Sequence, residues 1–395
     1  MEEDYIEKID ELKESPLYNL SMSSLENFHT NFLVWLGNKH PEQMWTLLTG
    51  EQETPPKIKF EAQKNCGNCK FDLCVEKDRQ IILVLENKIK SYPTEEQLEK
   101  YNEGIEHNKG NFSNDCKKIL LTLFPCNLKL KGLNWKPVYY ADFFKNNPFM
   151  PNSQEFSYHN ELIKDYFNLI KNLYIIINKY DENITHTKYD MYDISKNYEA
   201  IKFKNIYIKY RTFELMNFIK QYVEESVTEN IKFSTDFSNS NEGIINIEKK
   251  YIIEKTKTNN KKDNYDFILS IQIQGSQYRY CLVCLDGKQE NNKKRFDFAE
   301  SLKGNKYWFN DTENNYNIRK NNPYQTLGNG NKYLSYKPDR IYQYKKIENF
   351  ESKKNLADVT YESIATQVLE DIQRLNKNEQ EIIKCYTETL SPKNS

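Results

Sequence analysis

Ile81-Ile-Leu-Val-Leu-Glu-Asn-Lys-Ile-Lys90 is an apolar run that closes by presenting Glu86 and Lys88. A short run this rich in Ile, Val and Leu reads as a strand buried on both faces. Side chains at i and i+2 of a strand share a face, so Glu86 and Lys88 project together beside Val84 while Asn87 points away. Ionised groups in a sheet interior are costly unless they are paired or hold a metal, and the stretch is therefore a candidate site on physical grounds alone.

Working outward, Lys70 to Glu76 is a second, shorter strand, in which Phe71, Leu73 and Val75 are expected on one face and Asp72, Cys74 and Glu76 on the other. The intervening Lys77-Asp-Arg-Gln80 is a turn at hairpin distance, which makes the two strands antiparallel neighbours and brings Asp72 toward Glu86. Pro93-Thr-Glu-Glu-Gln97 signals a helix start, and Leu98, Tyr101 and Ile105 form its apolar stripe. Lys117 to Phe124 is another apolar strand. The strand, helix, strand order implies a parallel crossover. Trp135 to Tyr140 reads as a further strand, followed by a short helix from Ala141.

Upstream, a helix is expected from Ser23 to Leu36, with Ser23-Ser-Leu-Glu26 as a capping box and Leu25, Phe28, Phe32, Trp35 and Leu36 at helical spacing. His29 falls inside this apolar arc and Glu26 on its border. Two readings stand for each: Glu26 as the cap or a ligand, His29 as a satisfied core residue or a catalytic group. The loop Glu51 to Lys57 separates a second short helix from the strands.

An α/β domain over residues 1–150 follows from this order. Residues 151–228 read as a helical hairpin, with helical patterns from Phe156 to Tyr180 and from Ile194 to Val227. Residues 229–350 read as β-rich (Gly243 to Ile253, Phe267 to Gln274, Tyr278 to Cys284), with 303–335 as long loops, and 351–395 as a helix from Asp358 on. Basic loops at Lys255 to Lys262 and Lys288 to Arg295, with Arg319-Lys320 and the Tyr-interleaved Lys337 to Lys346, offer local positive charge that could grip a phosphate backbone, or are simply solvated.

The net charge of -1 gives no global attraction to a polyanion, so such a partner must meet a local surface. No stretch approaches the roughly 20 apolar residues of a membrane span, and the acidic Met-Glu-Glu-Asp start lacks the features of a signal peptide. A cytoplasmic setting with its 8 cysteines reduced is the expectation. Cys66-x2-Cys69, with Cys74 close by, has the spacing of half a zinc site, and its second half stays open, since Cys281 and Cys284 are expected on opposite faces of a strand.

Asp72, thirteen residues, then Glu86-x-Lys88 at the end of a buried strand resembles the PD-(D/E)XK nuclease superfamily, although Phe71 stands where that signature has proline. Gln97-Leu-Glu-Lys-Tyr101 resembles the Gln-x-x-x-Tyr motif of its RecB-type members. Glu26-Asn-Phe-His29-Thr30 is similar to the Glu-x-x-His-Ser/Thr helix of one branch, and the β region around Ile271 to Leu285 is similar to the segment C-terminal to the nuclease core in that branch.

The resemblance covers about residues 20 to 145. It implies an αβββαβ restriction-endonuclease-like core and Mg²⁺ (or Mn²⁺) held by Asp72, Glu86, the carbonyl of Asn87 and, as an extra ligand, Glu26. It further implies Lys88 serving the attacking water and Gln97 and Tyr101 positioning the lysine or a substrate phosphate. The alternative for Gln97 is a capping partner of Thr94. The implied activity is phosphodiester hydrolysis, with DNA ahead of RNA as substrate, in defence against foreign DNA or in repair. A non-catalytic nucleic-acid-binding or interaction module on the same fold is the competing reading. Any homo-oligomer or partner-protein contact is expected through the C-terminal regions.

Overall fold

β3 (Gln80–Lys88) lies at the centre of a five-stranded sheet of order β1-β2-β3-β4-β5, between β2 (Cys69–Lys77) and β4 (Phe112–Thr122), with β1 (Lys59–Cys66) and β5 (Lys136–Tyr139) at the edges. The computed structural model describes residues 2–21, 25–66, 69–89, 91, 93–123, 132–145, 149, 158–177, 184–191, 195–224, 231–238, 242–253, 265–284, 292–309, 334–337, 340–347 and 358–390. Every side chain from Leu83 to Ile89 is buried, as a central strand requires.

β2 and β3 are antiparallel and closed by Asp78-Arg79, both at positive φ (50° and 68°), the backbone that a two-residue hairpin turn needs. β3, β4 and β5 are parallel, and α5 (Glu95–His107) makes the crossover between β3 and β4. At 13 residues, α5 is too short to be stable alone. Thr94 caps it by accepting from Gln97 N–H, and Leu98 and Ile105 bury against Phe71, Cys74, Val84, Leu120 and Trp135. Full burial of each large side chain contributes about 1.5–3 kcal/mol.

α3 (Leu25–Lys39) packs against β1, β2 and β3, with α4 (Pro41–Thr49) following it. α7 (Tyr158–Ile177) packs on α1 (Glu2–Glu14), α2 (Pro16–Ser21) and α6 (Tyr140–Lys145). Its Tyr166 ring stacks on Phe32 of α3.

The chain is of mixed α/β class and divides into two units. The first comprises Met1–Asp181 and Lys196–Tyr210, the second Glu182–Ser195 and Arg211–Ser395. α8 (Lys204–Glu224) supplies residues to both. The second unit holds an antiparallel sheet of order β10-β11-β9-β8-β7-β6: β6 (Ile231–Phe237), β7 (Gly243–Ile253), β8 (Tyr265–Gln274), β9 (Gln277–Cys284), β10 (Leu334–Lys337) and β11 (Arg340–Lys346). Its helices are α9 (Asn292–Gly304), α10 (Tyr361–Lys377) and α11 (Glu379–Leu390). Tyr278 of β9 donates to Asp371 of α10 at 2.8 Å, and the Arg374 guanidinium lies over the rings of Tyr280 and Trp308. Among the described residues no helix is long and apolar enough to cross a membrane.

Several boundaries differ from those expected. β1 and β6 are edge strands, which carry little apolar sequence and leave a weak signal. The helix expected from Ile194 starts at Lys204, because a 3₁₀ turn (Ser195–Tyr198) precedes it and Lys202 takes a φ of 52°. Lys293 to Arg295 lie on α9 rather than in a loop, and Arg340 to Lys346 form β11. The loops 255–262 and 319–320 lie outside the described residues. The C-terminal helix is two, parted at Asn378.

Gly104 of α5 sits against Cys69 so closely that an added Cβ would lie 2.0 Å from its Sγ. Gly104→Ala should therefore cost about 1–3 kcal/mol of overpacking, outweighing the roughly 1 kcal/mol that alanine adds in a helix. Urea denaturation of Gly104→Ala, Cys69→Ala and the double variant checks this: the double variant should be at least as stable as Cys69→Ala alone.

Candidate active site

β2 pairs with β3 only as far as Leu73↔Leu85. One step on, where Asp72 would face Glu86, the ladder stops, and Asp72 Oδ2 instead accepts the backbone N–H of Asn87 at 2.8 Å. The β1–β2 ladder is also interrupted there: Ala62↔Leu73 and Lys64↔Phe71 pair, and the step between them, Gln63 with Asp72, is missing. The side-chain alternation slips as a result. Phe71 was expected on the side of Leu73; it packs instead with Cys74 against α5, its ring 5.2 Å from that of Tyr101. An uninterrupted ladder is what the expected alternation assumed, and this one is broken at Asp72.

Glu86 is 2% exposed and Lys88 7%, and Lys88 Nζ lies 2.6 Å from Glu86 Oε1. The same oxygen accepts from Gln97 Nε2 at 2.8 Å, and Gln97 Nε2 also lies 3.1 Å from the Tyr101 hydroxyl. Gln97 thus serves in two ways, its backbone N–H capped by Thr94 and its side chain turned to Glu86. Glu86 Oε2 is buried and accepts no hydrogen bond. Burial pushes the Glu86 carboxyl up to about 7, the negative charge of Asp72 adds to the rise, and Lys88 and Tyr101 oppose it. Burial, then the charge of Glu86, likewise raises the Tyr101 phenol.

Asn87 faces the other side of β3. Its Nδ2 donates to Thr30 Oγ1 at 3.2 Å, and its Oδ1 accepts from the Tyr140 hydroxyl at 2.8 Å. The Tyr140 and Tyr166 hydroxyls are bonded to each other, and His29 Nδ1 lies 3.2 Å from Tyr166 Oη. Both phenols are raised, mainly by burial. His29, with no exposure, therefore belongs to a buried network on the Asn87 side of the sheet, whereas Glu86 and Lys88 face the α5 side. Glu26 lies on α3, but its side chain is outside the described residues.

Sequence reading named Thr30 only as part of the helix motif and missed Tyr140 and Tyr166; the three come together only through tertiary packing. It also missed Gln63. A positive φ at glutamine, 49° here, leaves no mark in the sequence.

Among the described residues no three His, Cys, Asp or Glu side chains gather as a metal cluster. Two carboxylates do approach, and Mg²⁺ needs only one or two beside water. The buried, unsatisfied Oε2 of Glu86 next to the charge of Asp72 is the kind of donor that a hard cation completes. Asp72, Glu86 and the Asn87 carbonyl thus fit such an ion by chemistry. Of the zinc spacing, the Cys66 side chain is outside the described residues, and Cys69 Sγ donates to Lys100 O at 3.5 Å. Compared with protein-family models, curated proteins and solved structures, the chain finds no match.

The raised Glu86 carboxyl gives a signed pH dependence. The folded chain holds this proton more tightly than the unfolded chain, so the contribution is present below pH 4.5 and is lost as pH rises to about 7. In EDTA, urea denaturation between pH 4.5 and 8 should show wild type losing on the order of 3 kcal/mol more than Glu86→Gln over that span. Parallel pH profiles for the two proteins would contradict the assignment.

Proposed function

We propose that the chain is a divalent-metal-dependent nuclease that hydrolyses phosphodiester bonds, with DNA as the first substrate class, on a PD-(D/E)XK core. The observation that carries this reading is the pairing of Asp72 and Glu86 with a buried ammonium, Lys88, where β2 leaves β3. The order α3, β1, β2, β3, α5, β4 supports it, being that of the αβββαβ core with α4 inserted after the first helix.

Asp72, Glu86 and the Asn87 carbonyl would hold Mg²⁺ or Mn²⁺. When bound, such an ion supplies Lewis acidity that offsets charge developing on the phosphate and eases deprotonation of water. The chain's own residues supply the rest. Lys88, fixed by Glu86, orients the attacking water and adds positive charge beside the phosphate oxygens. Gln97 and Tyr101 hold Glu86 in place, and Tyr101 stays protonated as a hydrogen-bond donor at any working pH. Glu86 must ionise to act as a ligand, so affinity for the ion should fall about tenfold per pH unit below pH 7 and level off above it.

The test is a panel of linear and circular duplex DNA, single-stranded DNA and RNA with Mg²⁺ or EDTA, alongside calorimetric titration with Mn²⁺. Asp72→Ala and Lys88→Ala should each lose roughly 100-fold or more of the activity. Wild-type activity matched by both variants would overturn the proposal. Nucleic-acid binding without metal binding would favour the non-catalytic module instead.

A further inference from the structure

Gln63 sits in the middle of β1 with a φ of 49°, in the left-handed region that a non-glycine residue seldom occupies inside a strand. Its position is opposite Asp72 in the β1–β2 register, where the pairing is missing although the steps on either side are made. On the other flank of Asp72 the β2–β3 ladder has just ended at Leu73↔Leu85. Asp72 thus stands at a step absent from both registers, and its carboxylate accepts the Asn87 N–H.

The left-handed turn is secured from two directions. Gln63 Nε2 donates to Asn27 Oδ1 of α3, and Lys70 Nζ donates to Gln63 Oε1 at 2.9 Å. Strained backbone persists only where its surroundings hold it, and it gathers where geometry is put to use. Restoring extended backbone at Gln63 would let Gln63 and Asp72 pair, return Phe71 and Asp72 to regular alternation, and draw the Asp72 carboxylate away from Asn87.

We propose that Gln63 is a positioning residue for Asp72: its left-handed backbone breaks the ladder so that the Asp72 carboxylate is set on the Asn87 amide and toward the Glu86 site. The role as a device of the active site rests on the metal-ligand reading of Asp72, whereas the coupling between residues 63 and 72 does not. The backbone carries the effect, and the Asn27 and Lys70 contacts only offset its cost.

The ordering of substitutions tests this. Glycine and asparagine accept the left-handed region, alanine does so less readily, and valine resists it most. Hydrogen exchange of the Asn87 amide, read from overlapping peptides, reports the Asp72 contact without any metal. Mn²⁺ titration reports the site.

Gln63→Gly and Gln63→Asn should keep Asn87 exchange and Mn²⁺ affinity within about twofold of wild type. Gln63→Val should speed exchange and weaken Mn²⁺ binding by about tenfold or more, each corresponding to about 1.4 kcal/mol. If Gln63→Val does not fold, Gln63→Ala takes its place, with an effect of the same sign. Wild-type exchange in a folded Gln63→Val, or equal losses in the glycine and valine variants, would overturn the proposal. The expected exchange ordering in a chain that binds no Mn²⁺ would uphold the coupling and sink the metal reading alone.

Discussion

Placing a carboxylate and an ammonium 2.6 Å apart inside a sheet sets the terms for everything around them. Removing two charges from water costs several kcal/mol per ion even after relaxation, and their mutual attraction offsets this only when further hydrogen bonds satisfy the remaining atoms. Around Glu86 this is done incompletely. Gln97 and Lys88 converge on Oε1, Oε2 is left without a bond, and the carboxyl is pushed up to about 7. Replacing a buried ion pair by apolar residues of similar volume is often neutral or stabilising, so stability is a weak reason for this pair. On the function proposed above, these residues form a site that a divalent cation would complete.

The constraint is transmitted through Asn87. Its backbone N–H faces Asp72, its side chain binds Thr30 of α3 and Tyr140 of α6, and Tyr140 leads on to Tyr166 of α7 and from there to His29. One residue of the central strand thus ties the sheet to three helices. Rotating Asn87 would both orphan two buried polar groups, at about 1–3 kcal/mol each, and displace Glu86 and Lys88 on either side of it. This gives α6 and α7 a part in holding Asn87 and, through it, the flanking Glu86 and Lys88. It also accounts for His29, which sequence pattern marks as unusual and which the structure uses far down this chain of contacts.

What could be read from sequence were the features local to a segment. The apolar run of β3, the Lys77 to Gln80 turn, the Thr94 cap and the apolar stripe of α5 each declare themselves within a dozen residues, and together they place Asp72, Glu86, Lys88, Gln97 and Tyr101 near one another. What escaped was set at a distance or by backbone alone. Tyr140 and Tyr166 look like ordinary aromatic core until α6 and α7 are docked. The Phe71 facing and the Gln63 turn both arise from a ladder interruption that period-two reasoning excludes by assumption. Lys202 breaks an expected helix with a positive φ at a residue type that gives no warning.

Other buried ion pairs in the chain offer a comparison. In the second unit, Asp371 accepts from Arg374 on Oδ1 at 2.6 Å and from Tyr278 on Oδ2 at 2.8 Å, so both carboxylate oxygens are used. Glu214 meets Arg211 at 2.6 Å and the Tyr361 hydroxyl at 3.1 Å. Lys249 is shared by Asn376 and Glu379, which fastens β7 to the junction of α10 and α11. With Tyr278, Tyr361 and Lys249 these groups bind one element to another. At the Glu86 pair, burial raises the carboxyl pKa, a second carboxylate, Asp72, adds to the rise, and Oε2 is buried without a hydrogen bond. Each of these pairs has at least one buried member, so burial of a charge does not by itself mark a site. The approach of Asp72 to Glu86, at the point where the β2–β3 ladder stops, is the feature on which the candidate site rests.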